Sequence, residues 1–407
     1  MTPDRSSTIV ATFAPADRPA GRGRYLMLDV WRGLVCLVVV LEHAGVVLWP
    51  VGNTLASDGE GFLQQWILSI LQWNFGSKLF FVMSGYCIAS SLDSSRRRGD
   101  SPARFLGRRL WRIYPTYWAA LLAFVVFVAG SDALGVGVLH HNGVSLELVS
   151  PASLNFSQWL GNLTLTETWR QHLSARGDVV VFTRVAWSLC YQEQFYFLCM
   201  LALWLAPRRL EQALVGATVA IVGFRFCAAD VGMLWRCEGT FPIYWHLFAV
   251  GLAVYWRLNL SAGAPAWGRR GVDLGIAALA CEQAVQGTFA TVAPYVFGLL
   301  LIVMWRWDAV LGCSSWLAPI RACGRRSFSI YLIHLPVTMV GNLSLVDLGL
   351  ESFWARALVV LPVVTAASVA VGWGFHHTVE RHFMGQAPLF QRKASTVSYF
   401  GLAIKAS

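Results

Sequence analysis

The chain has 407 residues, of which 56% are hydrophobic and only 13% are charged, and its mean hydropathy is +0.53. These values are typical of polytopic membrane proteins and exclude an ordinary soluble domain. The net charge of +10 does not indicate a nucleic-acid-binding protein, because the arginines lie between apolar runs and form no long basic face. The nine cysteines include no CxxC pair, so neither a disulfide framework nor a zinc site is expected.

The apolar runs predict an all-α integral membrane protein with about ten transmembrane helices and both termini in the cytoplasm. Seven arginines lie between Arg96 and Arg112, and they are the strongest orientation signal, predicting a cytoplasmic loop. The predicted organisation is a cytoplasmic segment over 1–24, a transmembrane domain over 25–375 and a cytoplasmic tail over 376–407. The predicted spans cover about 28–49, 66–91, 113–131, 185–206, 212–231, 240–258, 272–287, 289–305, 327–346 and 353–375.

The long external segment of this prediction is 132–184, because the spans on either side of it both have their external ends there. It carries mixed charge and a weakly apolar patch at 156–165, so we expect an external loop with an amphipathic or re-entrant piece. Two interpretations stay open. The loop is either a lid or acceptor-binding surface, or a passive connector.

The first predicted span carries four ionisable residues, Asp29, Arg32, Glu42 and His43, and such groups are costly in hydrocarbon. Arg32 and His43 are eleven residues apart. On a helix this spacing is three turns plus about 20°, so both share a face and lie roughly 16 Å apart along the axis. The arrangement suits a site that holds an anionic donor at one end and deprotonates an acceptor at the other. An interhelical ion pair and a packing histidine account for the same residues equally well.

Five stretches, in order over most of the chain, carry a resemblance to a known family. The first is Arg32 to His43, an Arg-x10-His pattern within an L-D-x-x-R-G frame. The others are LFFVMSGY (79–86), RRLWRIYPTYW (108–118), WSLCYQEQFYFL (187–198) and SFSIYLIHLP (327–336). With these motifs the chain resembles the membrane-bound acyltransferase 3 family. It departs from the family pattern at Gln192, where the family usually has Glu, and Glu193 follows directly.

The resemblance implies an enzyme of the inner (plasma) membrane that moves an acyl group, usually acetyl, from cytoplasmic acyl-coenzyme A. The implied acceptor is a hydroxyl of a carbohydrate or glycoconjugate at the membrane or its outer face. Acetyl-coenzyme A is thus the expected donor substrate, the bilayer the expected environment, and neither a metal nor a nucleic acid is expected. Acylation of a lipid or small secondary metabolite is one alternative. A transporter or flippase is another, ranked lower because no inverted repeat is evident.

A sugar hydroxyl needs a base to remove its proton near neutral pH, and imidazole titrates in that range, so His43 is the predicted general base. Glu193 is assigned to the catalytic group as the residue that orients this base or binds acceptor hydroxyls, and a helix-packing hydrogen bond is the alternative. The guanidinium groups expected to bind coenzyme A phosphates are those of Arg32, Arg108, Arg109 and Arg112, although orientation alone also explains the cluster. The predicted substrate contacts are Ser84, Tyr114, Trp187, Gln192, Tyr331 and His334. For His334 a structural hydrogen bond across helices is the favoured alternative.

The remaining polar candidates carry no assigned catalytic role. Ser84 lies beside a glycine and fits helix packing better than a nucleophile, because no GxSxG elbow is present. His246 belongs to no motif and is expected to be structural. Lys78 either faces a cavity or snorkels. His140 and His141 lack the spacing from other ligands that a metal site requires.

Overall fold

A computed structural model describes residues 25–48, 61–72, 74–134, 139–141, 144–146, 149–170, 179–347, 349–350 and 352–384. Within them the only strands are β1 (Leu139–His141) and β2 (Val144–Leu146), which form a short antiparallel hairpin. The α-helices in chain order are α1 (Leu28–Ala44), α2 (Phe62–Gln72), α3 (Gly76–Arg98), α4 (Pro102–Ala133), α5 (Phe156–Leu163), α6 (Glu167–Arg170), α7 (Trp187–Leu205), α8 (Leu210–Asp230), α9 (Trp245–Tyr255), α10 (Ala266–Gln286), α11 (Phe289–Met304), α12 (Asp308–Gly312), α13 (Ala318–Arg325), α14 (Ser327–Asp347), α15 (Phe353–Ala355) and α16 (Leu361–Thr378).

Six mainly helical stretches of the described chain are long and apolar enough to cross a membrane: Leu28–Leu48, Phe62–Arg98, Pro102–Ala133, Pro207–Asp230, Phe289–Gly312 and Phe353–His382. The second of them consists of the two helices α2 and α3. The protein is therefore an all-α membrane protein, as the sequence predicts. The count of ten spans and the cytoplasmic position of both termini stay predictions. The segment 1–24, most of the first outer loop and the tail beyond 384 lie outside the described residues.

The single span predicted over about 66–91 is divided in the structure into α2 and α3. Asn74 between them has a left-handed backbone, with φ of 45°. The Glu42 carboxylate of α1 accepts hydrogen bonds from the backbone N–H groups of Phe75 (2.9 Å) and Gly76 (3.1 Å). These groups begin α3 and have no partner within the helix, so the buried carboxylate satisfies them where water is scarce. Hydropathy alone missed this break.

A sharp turn joins α3 to α4 within the predicted cytoplasmic loop. Gly99 ends α3 with φ of 64°, and the Ser101 side chain caps α4 by accepting from the Arg104 N–H at 3.2 Å. Asp100 lies in the turn and contacts Arg98 and Arg108 at 2.9 Å each. Burial raises the pKa of Asp100, but the hydrogen bonds from Arg98 and Arg108 outweigh it and hold that pKa below its usual value.

The described part of the predicted external segment is attached to α4 through the aromatic residues of the RIYPTYW motif. Tyr117 Oη donates to the Asn162 carbonyl at 2.8 Å, and Trp118 Nε1 donates to the Leu163 carbonyl at 2.9 Å. The patch expected to be amphipathic or re-entrant is helix α5, which Asn155 begins with a capping box. Aromatic hydrogen-bond donors thus fix this segment against the bundle.

Glycines allow α1 to lie directly against α13. A Cβ on Gly33 would be 2.1 Å from the Ile320 carbonyl oxygen, and one on Gly324 would be 1.6 Å from the Asp29 carbonyl oxygen. Both positions therefore require glycine, and they fix the depth and rotation of α1. Arg32 precedes Gly33, so this contact also sets where its guanidinium lies.

Helices α3 and α9 make a similar contact, as expected for a small residue beside Ser84. A Cβ on Gly85 would lie 2.0 Å from the Phe248 carbonyl oxygen, and Gly251 faces it from α9. We expect Gly85→Leu to destabilise the protein by about 3 kcal/mol or more, because this backbone crossing cannot hold a side chain. Gly223→Leu is the matched control, since nothing lies within 4 Å of its Cβ position. Unfolding midpoints of the purified proteins in detergent measure the difference, and equal midpoints would contradict it.

Candidate active site

Two of the cavities in the described part of the chain share a lining residue, Tyr331 of α14. The arginine cavity, of about 140 Å³, is lined by residues that include Arg32, Arg109 and Arg112. The histidine cavity, of about 400 Å³, is lined by residues that include His43 and Trp187. The described lining of neither cavity includes a carboxylate. One cavity is therefore strongly cationic, and the other contains an imidazole.

The arginine cavity joins residues from three motifs. Arg32 Nη2 donates to Ser327 Oγ at 3.0 Å, and Asp29 lies at a longer distance of 3.9 Å from Arg32 Nη1. Arg109 donates to the Cys87 carbonyl oxygen at 3.2 Å. Guanidinium groups held in this way keep further N–H donors available for an anion. Sequence reasoning did not identify Ser327 as the partner of Arg32.

The seven arginines between Arg96 and Arg112 divide into two groups. Five of them contact the carboxylates of Asp93, Asp100 or Glu211, and these are Arg96, Arg97, Arg98, Arg104 and Arg108. Only Arg109 and Arg112 line the arginine cavity. The structure thus places Arg108, one of the predicted coenzyme A ligands, against Ser95 and Asp100 in the turn and away from this cavity.

His43 and His334 are in contact, with His43 Nδ1 3.3 Å from His334 Nε2. His334 is fully buried, and its Nδ1 lies 2.7 Å from the Tyr331 carbonyl oxygen. Because a carbonyl only accepts, Nδ1 of His334 carries the proton and Nε2 carries the lone pair. His43 Nδ1 therefore faces two acceptors, this lone pair and the Val39 carbonyl at 2.8 Å, so it carries a proton too. These partners assign the lone pair of His43 to Nε2.

The two histidines occupy different positions relative to the cavity. His43 lines it and His334 does not. His43 is therefore the imidazole available to a substrate, and all of its hydrogen bonds to described residues are made through Nδ1. His334 lies outside the lining of this cavity and holds the His43 ring through its contact with His43 Nδ1. This arrangement fits a general base whose tautomer is held by a second histidine.

Tyr331 and Ser188 form a hydroxyl pair at the boundary of the two cavities. Their oxygens are 2.8 Å apart, and Tyr331 Oη also donates to the Val185 carbonyl at 2.9 Å. Ser188 lines the arginine cavity, whereas Val185 lines the histidine cavity. The Phe80 ring packs edge-on against Tyr331, with centroids 5.4 Å apart. Ser188 was not among the predicted site residues, although it is the second residue of the WSL motif.

The shifted carboxylate of the WSL motif lies outside both cavities. Gln192 lines the arginine cavity, where its Nε2 donates to Ser84 Oγ. Glu193 points elsewhere and contacts Tyr114 Oη at 2.8 Å. Tyr114 Oη also lies 2.8 Å from the Thr164 carbonyl, so this pair holds the external segment to the bundle. The structure thus brings Gln192 and Ser84 to the cavities and leaves Glu193 and Tyr114 apart from His43.

The histidine cavity contains polar groups that sequence reasoning did not identify. Arg184 lines it from the segment before α7, beside the predicted contact Trp187. Asn342 donates to the Ala44 carbonyl at 3.2 Å, while its Oδ1 is buried without a hydrogen-bond partner among the described residues. An aromatic ring, a cation and a free amide oxygen suit a polar, hydroxyl-bearing acceptor.

The remaining ionisable candidates lie outside both cavities. His246 packs against the Tyr295 ring, with centroids 6.1 Å apart, in agreement with a structural role. Lys78 is half-buried on α3 and lines neither cavity. The side chains of His140 and His141 lie outside the described residues. No group of three or more metal-ligating residues occurs in the described part of the chain.

Comparisons with known proteins agree with the motifs. A family described as "Acyltransferase domain" matches residues 25–373, which is most of the chain. A protein of Komagataeibacter xylinus named "Putative membrane-bound transacylase BcsY" is 26% identical over 359 residues, covering 84% of this chain and 80% of the relative. No solved structure shows significant similarity. On the strength of the family match and the five motifs, the chain belongs to the acyltransferase 3 family of membrane acyltransferases.

Proposed function

We propose that this membrane acyltransferase moves an acetyl group from cytoplasmic acetyl-coenzyme A to a hydroxyl of a carbohydrate or glycoconjugate. The carrying observation is that Tyr331 lines both a cavity with three arginines and a cavity with a free imidazole nitrogen. Transfer from acetyl-coenzyme A needs a site for a polyanionic donor and a base that activates the acceptor. The acceptor oxygen and the thioester carbon of the donor must then meet. The two cavities offer these two sites, and Tyr331 lines both of them.

The arginine cavity suits the donor. Coenzyme A carries phosphates, and Arg32, Arg109 and Arg112 supply planar donors without a carboxylate in the described lining. Arg109 and Arg112 follow the arginine-rich turn that the positive-inside rule assigns to the cytoplasm, where acyl-coenzyme A is found. The donor would therefore enter from that side and extend its thioester toward Tyr331.

The histidine cavity suits the acceptor. His43 Nε2 takes the proton of the acceptor hydroxyl as the oxygen bonds to the thioester carbon. The resulting imidazolium keeps its Nδ1 hydrogen bonds to Val39 and His334. When the carbon–sulfur bond breaks, His43 returns the proton to the leaving thiolate, so the base is regenerated. Trp187 offers a face for a sugar ring, and Arg184 and Asn342 offer polar contacts.

Purified protein incubated with radiolabelled acetyl-coenzyme A and a panel of acceptors tests this function. We expect label in a carbohydrate product, identified by mass spectrometry as an O-acetyl ester. The panel also includes lipids and small hydroxyl-bearing metabolites, which are the alternative acceptors. Absence of label from every acceptor, together with movement of a panel compound across vesicles containing the protein, would favour a transporter instead.

The proposal also predicts that donor and acceptor reach the site from opposite sides of the inner membrane. In a protein with its native cysteines replaced, single cysteines at Ser101 and Ser153 probe the α3–α4 turn and the external segment. Both positions are exposed. We expect a membrane-impermeant maleimide to label Ser153→Cys in intact cells and Ser101→Cys only after lysis. Labelling of both positions from the same side would contradict this topology.

A further inference from the structure

Attack on a thioester moves negative charge onto the carbonyl oxygen, so the site needs a hydrogen-bond donor at that oxygen. If the donor molecule lies in the arginine cavity and the acceptor lies beside His43, the reacting carbon must lie where the two cavities meet. Tyr331 is the residue that lines both, and its hydroxyl partner there is Ser188. The Ser188 hydroxyl is a side-chain group at this point that can supply the donor.

The two hydroxyl groups of this pair are not equivalent. The Tyr331 proton has a good acceptor in the Val185 carbonyl at 2.9 Å, whereas the Ser188 oxygen is 3.4 Å from the same carbonyl. The Ser188 proton therefore points to Tyr331 Oη at 2.8 Å. That bond can be exchanged for a ligand, because Tyr331 keeps Val185 as its partner when the serine hydroxyl rotates. The buried Ser188 hydroxyl can therefore turn its proton from Tyr331 Oη to the oxygen of a ligand.

The chain around Ser188 supports the same location. Val185 and Trp187 line the histidine cavity, while Ser188 lines the arginine cavity, so the chain passes from one cavity to the other within three residues. The arginine cavity is also lined by Ser84, Ser327 and Tyr196. The Ser84 hydroxyl accepts from Gln192 and the Ser327 hydroxyl accepts from Arg32, whereas the Ser188 hydroxyl contacts Tyr331. Ser188 is therefore the hydroxyl of the arginine cavity that is hydrogen-bonded to the residue shared by both cavities.

We propose that the Ser188 hydroxyl is the oxyanion donor of the transfer reaction and that Tyr331 is its positioning residue. This inference rests on the proposed acyl-coenzyme A donor. The acceptor oxygen forms a bond to the thioester carbon, its proton passes to His43 Nε2, and the carbonyl π electrons move to the oxygen that Ser188 stabilises. Collapse restores the carbonyl and breaks the carbon–sulfur bond, and the thiolate takes the proton from His43. No other reactant is required.

Removal of one oxyanion donor typically lowers kcat by about 10²- to 10³-fold. We therefore expect Ser188→Ala to lose about 100-fold in kcat while its affinity for acetyl-coenzyme A stays within about twofold of the wild type. Ser188→Thr keeps a hydroxyl and is expected to retain most activity. Tyr331→Phe keeps the serine proton but removes its resting partner, so we expect a smaller loss. Ser368→Ala is the control, because this buried serine bonds only within α16.

A spectroscopic measurement separates this role from a structural one. Infrared difference spectra of bound acetyl-coenzyme A labelled with 13C at the carbonyl report the hydrogen bond to that oxygen without turnover. We expect a lower stretching frequency in the wild type, Ser188→Thr and Ser368→Ala proteins than in Ser188→Ala. If Ser188→Ala does not fold, Ser188→Cys replaces it, because a thiol is a weak donor.

Three outcomes are distinguishable. A band that moves to higher frequency in Ser188→Ala, with donor affinity maintained, supports the oxyanion role. An unchanged band with kcat within threefold of the wild type overturns that role and leaves the proposed function intact. Absence of acetyl-coenzyme A binding to the wild-type protein, measured by equilibrium binding before any spectrum, overturns the donor assignment and the Ser188 role together.

Discussion

His43→Ala is expected to lower acyl transfer by about 1000-fold while donor binding is unaffected, because a general base contributes about 10²- to 10⁴-fold. The alanine removes the Nε2 lone pair that takes the acceptor proton, but it leaves the three arginines of the arginine cavity in place. Initial rates with labelled acetyl-coenzyme A and equilibrium donor binding measure the two quantities separately. The size of the effect in turnover, without a matching effect on affinity, is what identifies a base.

His246→Ala is the matched control for this variant, since His246 is a histidine of the bundle that packs on Tyr295 away from both cavities. It should retain turnover. His334→Ala is expected to give a smaller loss, because it removes only the residue that holds the His43 tautomer. Near-wild-type turnover of well-folded His43→Ala would disprove the catalytic role, and His334 would be the next residue to test.

An acyl-histidine intermediate predicts the same loss in His43→Ala, so the two mechanisms need a different experiment. Direct transfer leaves no acyl group on the protein when the acceptor is absent. The covalent route leaves one on His43, which mass spectrometry of rapidly quenched enzyme would detect. We expect no such adduct, because the proposed site presents the acceptor hydroxyl to His43 while the thioester is held at Tyr331.

Arg112→Gln is expected to weaken acetyl-coenzyme A binding by about 10- to 100-fold, and Arg32→Gln by a similar amount. Each variant removes charge-assisted hydrogen bonds to phosphate, and such bonds contribute about 1.5–3 kcal/mol. Binding of acetyl-coenzyme A and of its 3′-dephospho analogue measures the effect. The arginine that contacts the 3′-phosphate is the one whose variant binds both ligands equally.

Arg104→Gln is the control for these variants, because Arg104 belongs to the same cluster but lies 3.6 Å from Asp100 in the turn. Its donor affinity should be unchanged. Arg108→Gln separates the two interpretations of the cluster: the sequence assigns Arg108 to coenzyme A, whereas the structure pairs it with Ser95 and Asp100. If Arg32→Gln and Arg112→Gln both bind acetyl-coenzyme A as tightly as the wild type, these arginines serve membrane orientation and helix packing and do not bind the donor.

The amino-acid sequence alone determined the class of the protein and most of its helices. Hydropathy and arginine placement respond to the bilayer, which acts on each segment independently, so they predict α1, α4, α8, α11 and α16 without knowledge of the neighbours. The motifs determined the family for the same reason, since each is local. The periodicity of α1 likewise assigned Arg32 and His43 to one face before any partner of either was known.

The tertiary structure decided which side chains meet. His43 and His334 are 291 positions apart, and their contact depends on how α1 crosses α14. The same holds for the arginines between Arg96 and Arg112, of which Arg109 and Arg112 line the arginine cavity. It holds too for the consecutive residues Gln192 and Glu193, which point in different directions. On a helix neighbouring residues are rotated by about 100°, so a shift of one position changes the face, and only packing decides which face meets the substrate.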